Sequence, residues 1–386
     1  MKKIVLSNGM KVVKTNNSKV YSLSITVGIG HLNEPKLGLA SVCEKVLAPQ
    51  LNNALAIQGG TITSYLTGCP AEEFENLLEN VSAVLKNPNL SQELIDAAAE
   101  DVAQHTRDLA PLPERQWKLC YKHTAFGTSK LVWDLDAYIE SVKSLKTEDL
   151  EALVDTYYTG KNIVIGVACD LPMDKLEKLM KEYFGKIPAG KKQKFEKLEY
   201  TGGYTARPAV GDVQTIAIGW DVSSLSNVAE ANVLMSMLSG RLERDVAGTG
   251  AVREVKIAGY YGMRTLRISI VAPADKDIND FIDIICKNVK RVTTTLASDR
   301  RMETSRQRAA TEKLAKFSEP QDAAVEAAWQ ELGRNGMYDV DDRITATFLV
   351  SARNVKEIAQ DIFSEKPTIV VFGENPYSEK ELLAKL

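Results

Sequence analysis

Two stretches of this chain, a little over 200 residues apart, repeat one pattern, and that repeat limits what the chain can fold into. Lys146 to Asp170, "KTEDLEALVDTYYTGKNIVIGVACD", has a counterpart in Asn354 to Pro376, "NVKEIAQDIFSEKPTIVVFGENP". Each reads as a helix, a short turn and a strand. The helix positions Leu150 and Ile358 stand 208 residues apart and the strand starts Ile163 and Ile369 stand 206 apart, so the register is nearly constant. A period close to half of a 386-residue chain implies duplicated domains rather than a solenoid. The front ends correspond too: a strand over Thr215 to Trp220 precedes a helix over Val228 to Leu242, much as Ser22 to Gly28 precedes a helix at Leu39. Between the halves, "IPAGKKQKFEKLEYTGGY" from Ile187 to Tyr204 reads as a linker. The expected division is 1–190, a linker over 191–204, and 205–386.

Within the first half, strands come before helices. Ile4 to Leu6 and Lys11 to Lys14 flank Ser7-Asn8-Gly9, and Asn-Gly is a strong hairpin signal. Ser22 to Gly28 alternates as a third strand. After Gly38 the period changes, with Leu39, Val42, Cys43, Val46 and Leu47 at helical spacing until Pro49. Further helices are expected over Ala71 to Leu85 and over Gln92 to Arg107. The second of these should bury Leu94, Ala97, Ala98, Val102 and His105.

Composition removes several functional classes. The 48 basic and 51 acidic residues leave a net charge of -3, so no global pull toward nucleic acid or anionic lipid exists. The basic run from Arg300 to Lys316 lacks interleaved aromatics and reads as a solvated helix face, and nucleic-acid binding is not expected. Gly28-Ile29-Gly30 has no third glycine, so no dinucleotide site is indicated. The three histidines, His31, His105 and His123, are separated by 73 and 17 residues, which leaves no His-x-x-x-His pair to bind zinc. Five scattered cysteines without a Cys-x-x-Cys pair read as buried reduced thiols. No signal-peptide core or membrane span is apparent, so the expected location is cytoplasmic.

On the helix Gly38-Leu39-Ala40-Ser41-Val42-Cys43-Glu44-Lys45, residues Ser41, Glu44 and Lys45 share one polar stripe. Read alone it is a solvated face, or else a Ser/Lys nucleophile pair in which a desolvated Lys45 deprotonates Ser41. With the duplicated halves, however, this helix resembles the M16 family of zinc peptidases, the inverzincins, in particular short members related to the mitochondrial processing peptidase. The resemblance rests on Leu6-Ser7-Asn8-Gly9-Met10-Lys11-Val12 for the family's LxNGxxV and on the helix itself for Gly-Leu-Ala-His-x-x-Glu-His. It rests also on "GGTITSYLT" from Gly59, "YYTGKNIVIGVACD" from Tyr157, Gly240-Arg241-Leu242 for Ser-Arg-Leu, and Arg253 to Tyr260 for Arg-Glu-Lys-x-Gly-Leu-Ala-Tyr.

The resemblance implies an α+β protein of two similar halves, each an antiparallel β-sheet with helices packed on one face, in a LuxS/MPP-like metallohydrolase fold closed like a clam. Both histidine ligands of the motif are replaced, by Ser41 and Lys45, and Glu44 takes the place of the general base. An ammonium at the second ligand position repels a dication. The third ligand would fall near Glu100 or Asp101. No metal is therefore expected in this chain. By the resemblance, Arg253 and Tyr260 are the candidate catalytic residues, donating hydrogen bonds to a peptide and to the oxyanion formed on attack, although "DVAGTGA" from Asp245 lengthens the link before Arg253. The implied role is the non-zinc subunit of a heterodimeric bacterial M16 peptidase. Its partner is a zinc-bearing M16 homologue and its substrate an extended peptide, for example the leader of a bacteriocin under maturation. The alternative is an inert scaffold like the core subunits of respiratory complexes.

Overall fold

The computed structural model describes residues 1–15, 19–127, 134–194, 197–260, 263–334 and 339–386, without the side chains of 259, 260 and 334. In chain order the elements are β1 (Lys2–Val5), β2 (Lys11–Lys14), β3 (Val20–Val27), α1 (Leu39–Gln50), β4 (Leu55–Gln58), β5 (Thr63–Pro70), α2 (Phe74–Lys86), α3 (Gln92–Leu109), α4 (Pro113–Phe126), α5 (Leu135–Lys143), α6 (Thr147–Tyr157), β6 (Ile163–Ala168) and α7 (Met173–Phe184). There follow β7 (Gly203–Arg207), β8 (Val213–Asp221), α8 (Val228–Asp245), β9 (Val252–Tyr260), β10 (Met263–Pro273), α9 (Ile278–Thr294), α10 (Asp299–Ala315), α11 (Pro320–Arg334), α12 (Val340–Leu349), α13 (Ala352–Phe363), β11 (Thr368–Phe372) and α14 (Glu379–Lys385).

The fold class is α+β, with one sheet per unit. The first sheet has the order β1-β2-β6-β3-β5-β4 and the second β7-β11-β8-β10-β9. The two orders superimpose strand for strand from β2 and β7 onward. The repeated helix-turn-strand segments end in β6 and β11, which take equivalent central places. Each of these runs parallel to one neighbour, β2 or β7, and antiparallel to the other, β3 or β8. The sheets are thus mixed rather than purely antiparallel, because a strand delivered from the far end of the half must insert between two strands laid down earlier.

The N-terminal hairpin forms as its Asn-Gly predicts. Gly9 sits at φ 84°, a left-handed conformation that costs a glycine nothing. Asn8, 7% exposed, donates through Nδ2 to the carbonyls of Phe184 and Ile187, both at 2.9 Å, and so ties the turn to the end of α7. In α3 the helical period is right but its phase is shifted. The buried residues are Ile95, Ala98, Ala99, Val102 and Ala103, while Leu94, Ala97 and His105 are exposed. Ile95 outcompetes Leu94 for the core, and the stripe follows it.

The compact units are not continuous in sequence. Unit 1 comprises Met1–Arg107, Asp134–Glu196 and Leu314–Asp339, and unit 2 comprises Asp108–Trp133, Lys197–Lys313 and Val340–Leu386. Helix α11, late in the chain, therefore belongs to the first sheet, and α4, early in the chain, to the second. Their first residues, Pro113 and Pro320, stand 207 apart, so the two helices are equivalent members of the repeat.

Each of these helices covers the sheet face opposite the unit's other helices, but by different packing. In unit 1, Leu23, Ile25 and Tyr65 turn one way, and the Tyr65 hydroxyl meets that of Tyr158 at 2.6 Å. Ser22, Ser24, Thr26, Ser64 and Gly166 turn the other way and are buried under α11. The α11 face is equally small: Ala323, Ala324, Ala327 and Ala328 have no exposed surface. A Cβ on Gly166 would lie 1.9 Å from the Ala324 carbonyl oxygen. Hydroxyls are satisfied within the layer, since Trp329 Nε1 donates to Ser64 Oγ at 2.7 Å and Ser64 meets Thr26 Oγ1 at 2.8 Å. In unit 2, α4 presents Trp117 and Tyr121 instead. Gly219 leaves room for the Tyr121 hydroxyl, which donates to Thr265 Oγ1 at 2.9 Å. The Arg267 guanidinium lies 4.8 Å from the Trp117 ring centre, a cation-π distance. The beta-sheet alternation of β3, which usually marks one wet face, here marks two dry ones.

Gly166→Ala forces α11 and β6 apart at backbone level. The expected loss is about 2–3 kcal/mol of stability, read as a lower urea midpoint at unchanged slope. An unchanged midpoint would mean that α11 does not lie against the sheet.

Candidate functional site

In unit 1, the helix carrying the altered metal motif is fixed at its start by Glu34. Its carboxylate accepts from the amides of Gly38 at 2.9 Å and Ala40 at 2.8 Å, groups left without partners inside a helix. Gly38 itself is left-handed, at φ 80°, and a Cβ there would come within 2.2 Å of Val142 Cγ2. Burial pushes the Glu34 carboxyl up to about 7, and the two amide bonds draw it back only in part. No sequence signal singled out Glu34.

The polar stripe of α1 is engaged residue by residue. Ser41 Oγ donates to Gln58 Oε1 at 2.7 Å. Burial pushes the Glu44 carboxyl up, and the neighbouring Lys45 charge pulls it partly back. Lys45 Nζ stands 2.8 Å from Asp101 Oδ2 on α3. Glu100, the other candidate third ligand, faces Lys143 at 2.5 Å and Arg107 at 3.6 Å, and the Lys143 bond holds its carboxyl below the usual range. The donor set does not fit a zinc ion: an ammonium already neutralises Asp101 at the place where a dication would have to sit. Among the described residues no group of three or more His, Cys, Asp or Glu is arranged to hold a metal. Nor does the arrangement favour a Ser/Lys nucleophile. Ser41 gives its proton to an amide oxygen and Lys45, half exposed, gives its own to a carboxylate.

In unit 2, Arg253 lies near the start of β9, the edge strand of its sheet, opposite Ile270 of β10. Its Nη2 pairs with Glu243 Oε2 on α8 at 2.9 Å. The same oxygen meets Arg308 Nη1 of α10 at 3.1 Å, and Arg308 Nε reaches Glu312 at 3.0 Å. Arg308 and then Arg253 hold the Glu243 carboxyl below the usual range. The Arg253 side chain is 22% exposed and its buried Nε has no partner. Tyr260 pairs with Met263 at the other end of β9, and its side chain lies outside the described residues. Seven strand residues span about 23 Å at ~3.3 Å each, so the backbone does not bring Arg253 and Tyr260 together. Arg241, the arginine of the Ser-Arg-Leu-like segment, is buried. The five cysteines are buried and unbridged, and no helix of the described residues is long and apolar enough to cross a membrane.

The Glu34 environment gives a testable pH dependence. The folded chain holds this proton more tightly than the unfolded chain, whose reference value is 4.5. Its contribution to stability is complete below pH 4.5 and falls away as pH rises through about 7. Glu34→Gln keeps one acceptor for the helix start and should flatten the stability profile across that window. A variant with the parent's slope would show that another group titrates there.

Residues 144–308 match the family model described as Peptidase M16 inactive domain. Over 175 residues the chain is 22% identical to the mitochondrial-processing peptidase subunit beta of Caenorhabditis elegans. That match takes in 45% of this chain and spans only 37% of the subunit's length. Two solved structures follow the chain almost end to end. One is from complex III2 of Candida albicans with Inz-5 bound, at a TM-score of 0.84 and 15% identity, covering 100% of this chain and 99% of that one. The other is a protease from Helicobacter pylori, at 0.83 and 13%, covering 96% and 98%. At these identities the likeness is one of fold. Residues 144–308 are thus similar to the inactive domain of M16 peptidases, and the chain as a whole shares the fold of these two structures.

Proposed function

We propose that this chain is the zinc-less subunit of a heterodimeric M16-type peptidase, binding an extended peptide while a zinc-bearing homologue supplies the metal. The observation that carries this reading is the Lys45–Asp101 pair at 2.8 Å. It joins α1 to α3 and sets an ammonium against a carboxylate at the place the resemblance gives to the third ligand, which supports a site that works without a metal. Two edge strands, β4 and β9, offer unpaired backbone groups to which an extended segment can add. Each carries an exposed apolar residue, Leu55 at 64% and Val252 at 71%, to meet its side chains.

In this reading Arg253 and Tyr260 are the contribution to catalysis, as donors to peptide carbonyls and to the developing oxyanion. Arg253 must then exchange its Glu243 contact for the substrate, and the second guanidinium on Glu243, from Arg308, leaves that carboxylate paired when it does. Leader peptides of ribosomally made bacteriocins belong to the substrate class. The second reading, an inert scaffold, is favoured by the same Arg253–Glu243 contact if it never opens.

The test uses this chain mixed with an M16 homologue that retains His-x-x-Glu-His. Zinc should come with the homologue and not with this chain alone, and peptide cleavage should appear only in the pair. Arg253→Ala should lower kcat about 100-fold, the scale of a lost oxyanion donor, with assembly and zinc content unchanged. Cleavage at the parent rate by both Arg253→Ala and Tyr260→Phe would leave the scaffold reading.

A further inference from the structure

Away from both motif regions, α8 and the start of α10 line a half-open cavity of about 420 Å³ within unit 2. Its walls include Gly240 and Arg244 from α8, Ser298 before α10, and Arg301, Thr304 and Arg308 from α10. Beside it stands Arg241, 5% exposed, whose Nε and Nη1 have no hydrogen-bond partner, and Nη1 of Arg301 is likewise buried and unpartnered. Arg241, Arg244, Arg291 and Arg301 form no ion pair among the described residues. The carboxylate acting on this group is Asp245, whose Oδ2 is already engaged by Asn288 Nδ2 at 2.8 Å.

Such an arrangement is costly as it stands. Buried donors without acceptors forfeit their bonds to water, and the guanidiniums repel one another. Burial first, then the charges of Arg301, Arg291 and Arg244, draws Arg241 down to about 10, which still leaves it charged at neutral pH. A bound anion gives Arg301 an acceptor and offsets the repulsion among the guanidiniums. The fork of a guanidinium matches phosphate oxygens two at a time, and the positive end of α10 begins at the cavity wall.

We propose that this cavity binds a phosphoryl group, held by Arg244 and Arg301 with the hydroxyl of Ser298 beside them, while Arg308 on the same wall stays committed to Glu243, Glu312 and Ser239. A dianion fits this count of guanidiniums better than a carboxylate does, and the volume leaves room for the small organic part of a phosphomonoester. The site is separate from peptide cleavage, although Arg308 borders both it and the Glu243 contact of Arg253.

The full chain is titrated with inorganic phosphate, glycerol 3-phosphate, acetate and chloride at constant ionic strength, following the thermal midpoint and the heat of binding. Phosphate should bind in the millimolar range or tighter. Arg301→Gln and Arg244→Gln should each weaken it about tenfold or more, the scale of one charge-assisted bond, while Arg353→Gln, on α13, should not. Tighter binding of glycerol 3-phosphate than of phosphate identifies a phosphorylated molecule as the ligand, and equal binding identifies the free ion. Because Arg244 is exposed, its variant tests the site even if Arg301→Gln fails to fold. The proposal is overturned if acetate or chloride gives the same rise as phosphate, if no phosphate binds, or if neither Arg301→Gln nor Arg244→Gln weakens binding.

Discussion

A central sheet has two faces to bury, and each half of this chain places most of its helices against one of them. The rest of the architecture depends on how the second face is closed. It is closed by a helix from the other half, α11 on the first sheet and α4 on the second. This explains features of the sheets that a half read alone would not. Gly166 is glycine because the backbone of α11 passes where its Cβ would be. The serines and threonines of β3 are small because an alanine-faced helix lies over them. In the second unit the same space is filled by Trp117 and Tyr121, and Gly219 is the glycine that admits the Tyr121 hydroxyl. Equivalent helices thus use opposite packing, a small face against a small face in one unit and rings over gaps in the other.

Much of this order is legible in the sequence because it is local or periodic. The Asn-Gly turn, the β3 alternation and the helical spacing after Gly38 each find their element, and the repeat anticipates that β6 and β11 occupy equivalent places. What was not legible depends on contacts across the chain. The phase of α3 turned on whether Ile95 or Leu94 reached the core. The cover over Ser24 and Thr26 comes from a helix some 300 residues later, which no window of periodicity includes.

The candidate site divides in the same way. That Ser41 and Lys45 stand where the resemblance would put histidines is visible in the letters alone, but the use to which Lys45 is put is not. Its partner Asp101 lies on another helix, and only the fold shows that the ammonium is paired there. The contact is half exposed, so its energetic worth is small, on the order of a surface ion pair. Its importance is electrostatic consistency rather than stability. Glu34, which holds the start of α1, matches no short motif, because a carboxylate that caps from outside the helix has no fixed spacing. Arg253 was legible as a position, whereas its Glu243 contact required α8 and β9 to be placed together.

The exchanged helices also bear on how the chain is made. The first sheet has its strands once β6 leaves the ribosome, yet the helix that seals its far face begins at Pro320, about 150 residues later. Until then a layer of serines, threonines and a bare glycine waits uncovered, with contacts of very long sequence separation still to form. Such a nascent chain presents an open sheet to any strand or helix nearby, the circumstance in which wrong partners are recruited during synthesis. A cut between residues 187 and 204 would not leave two self-sufficient proteins, since each piece would carry away the lid of the other.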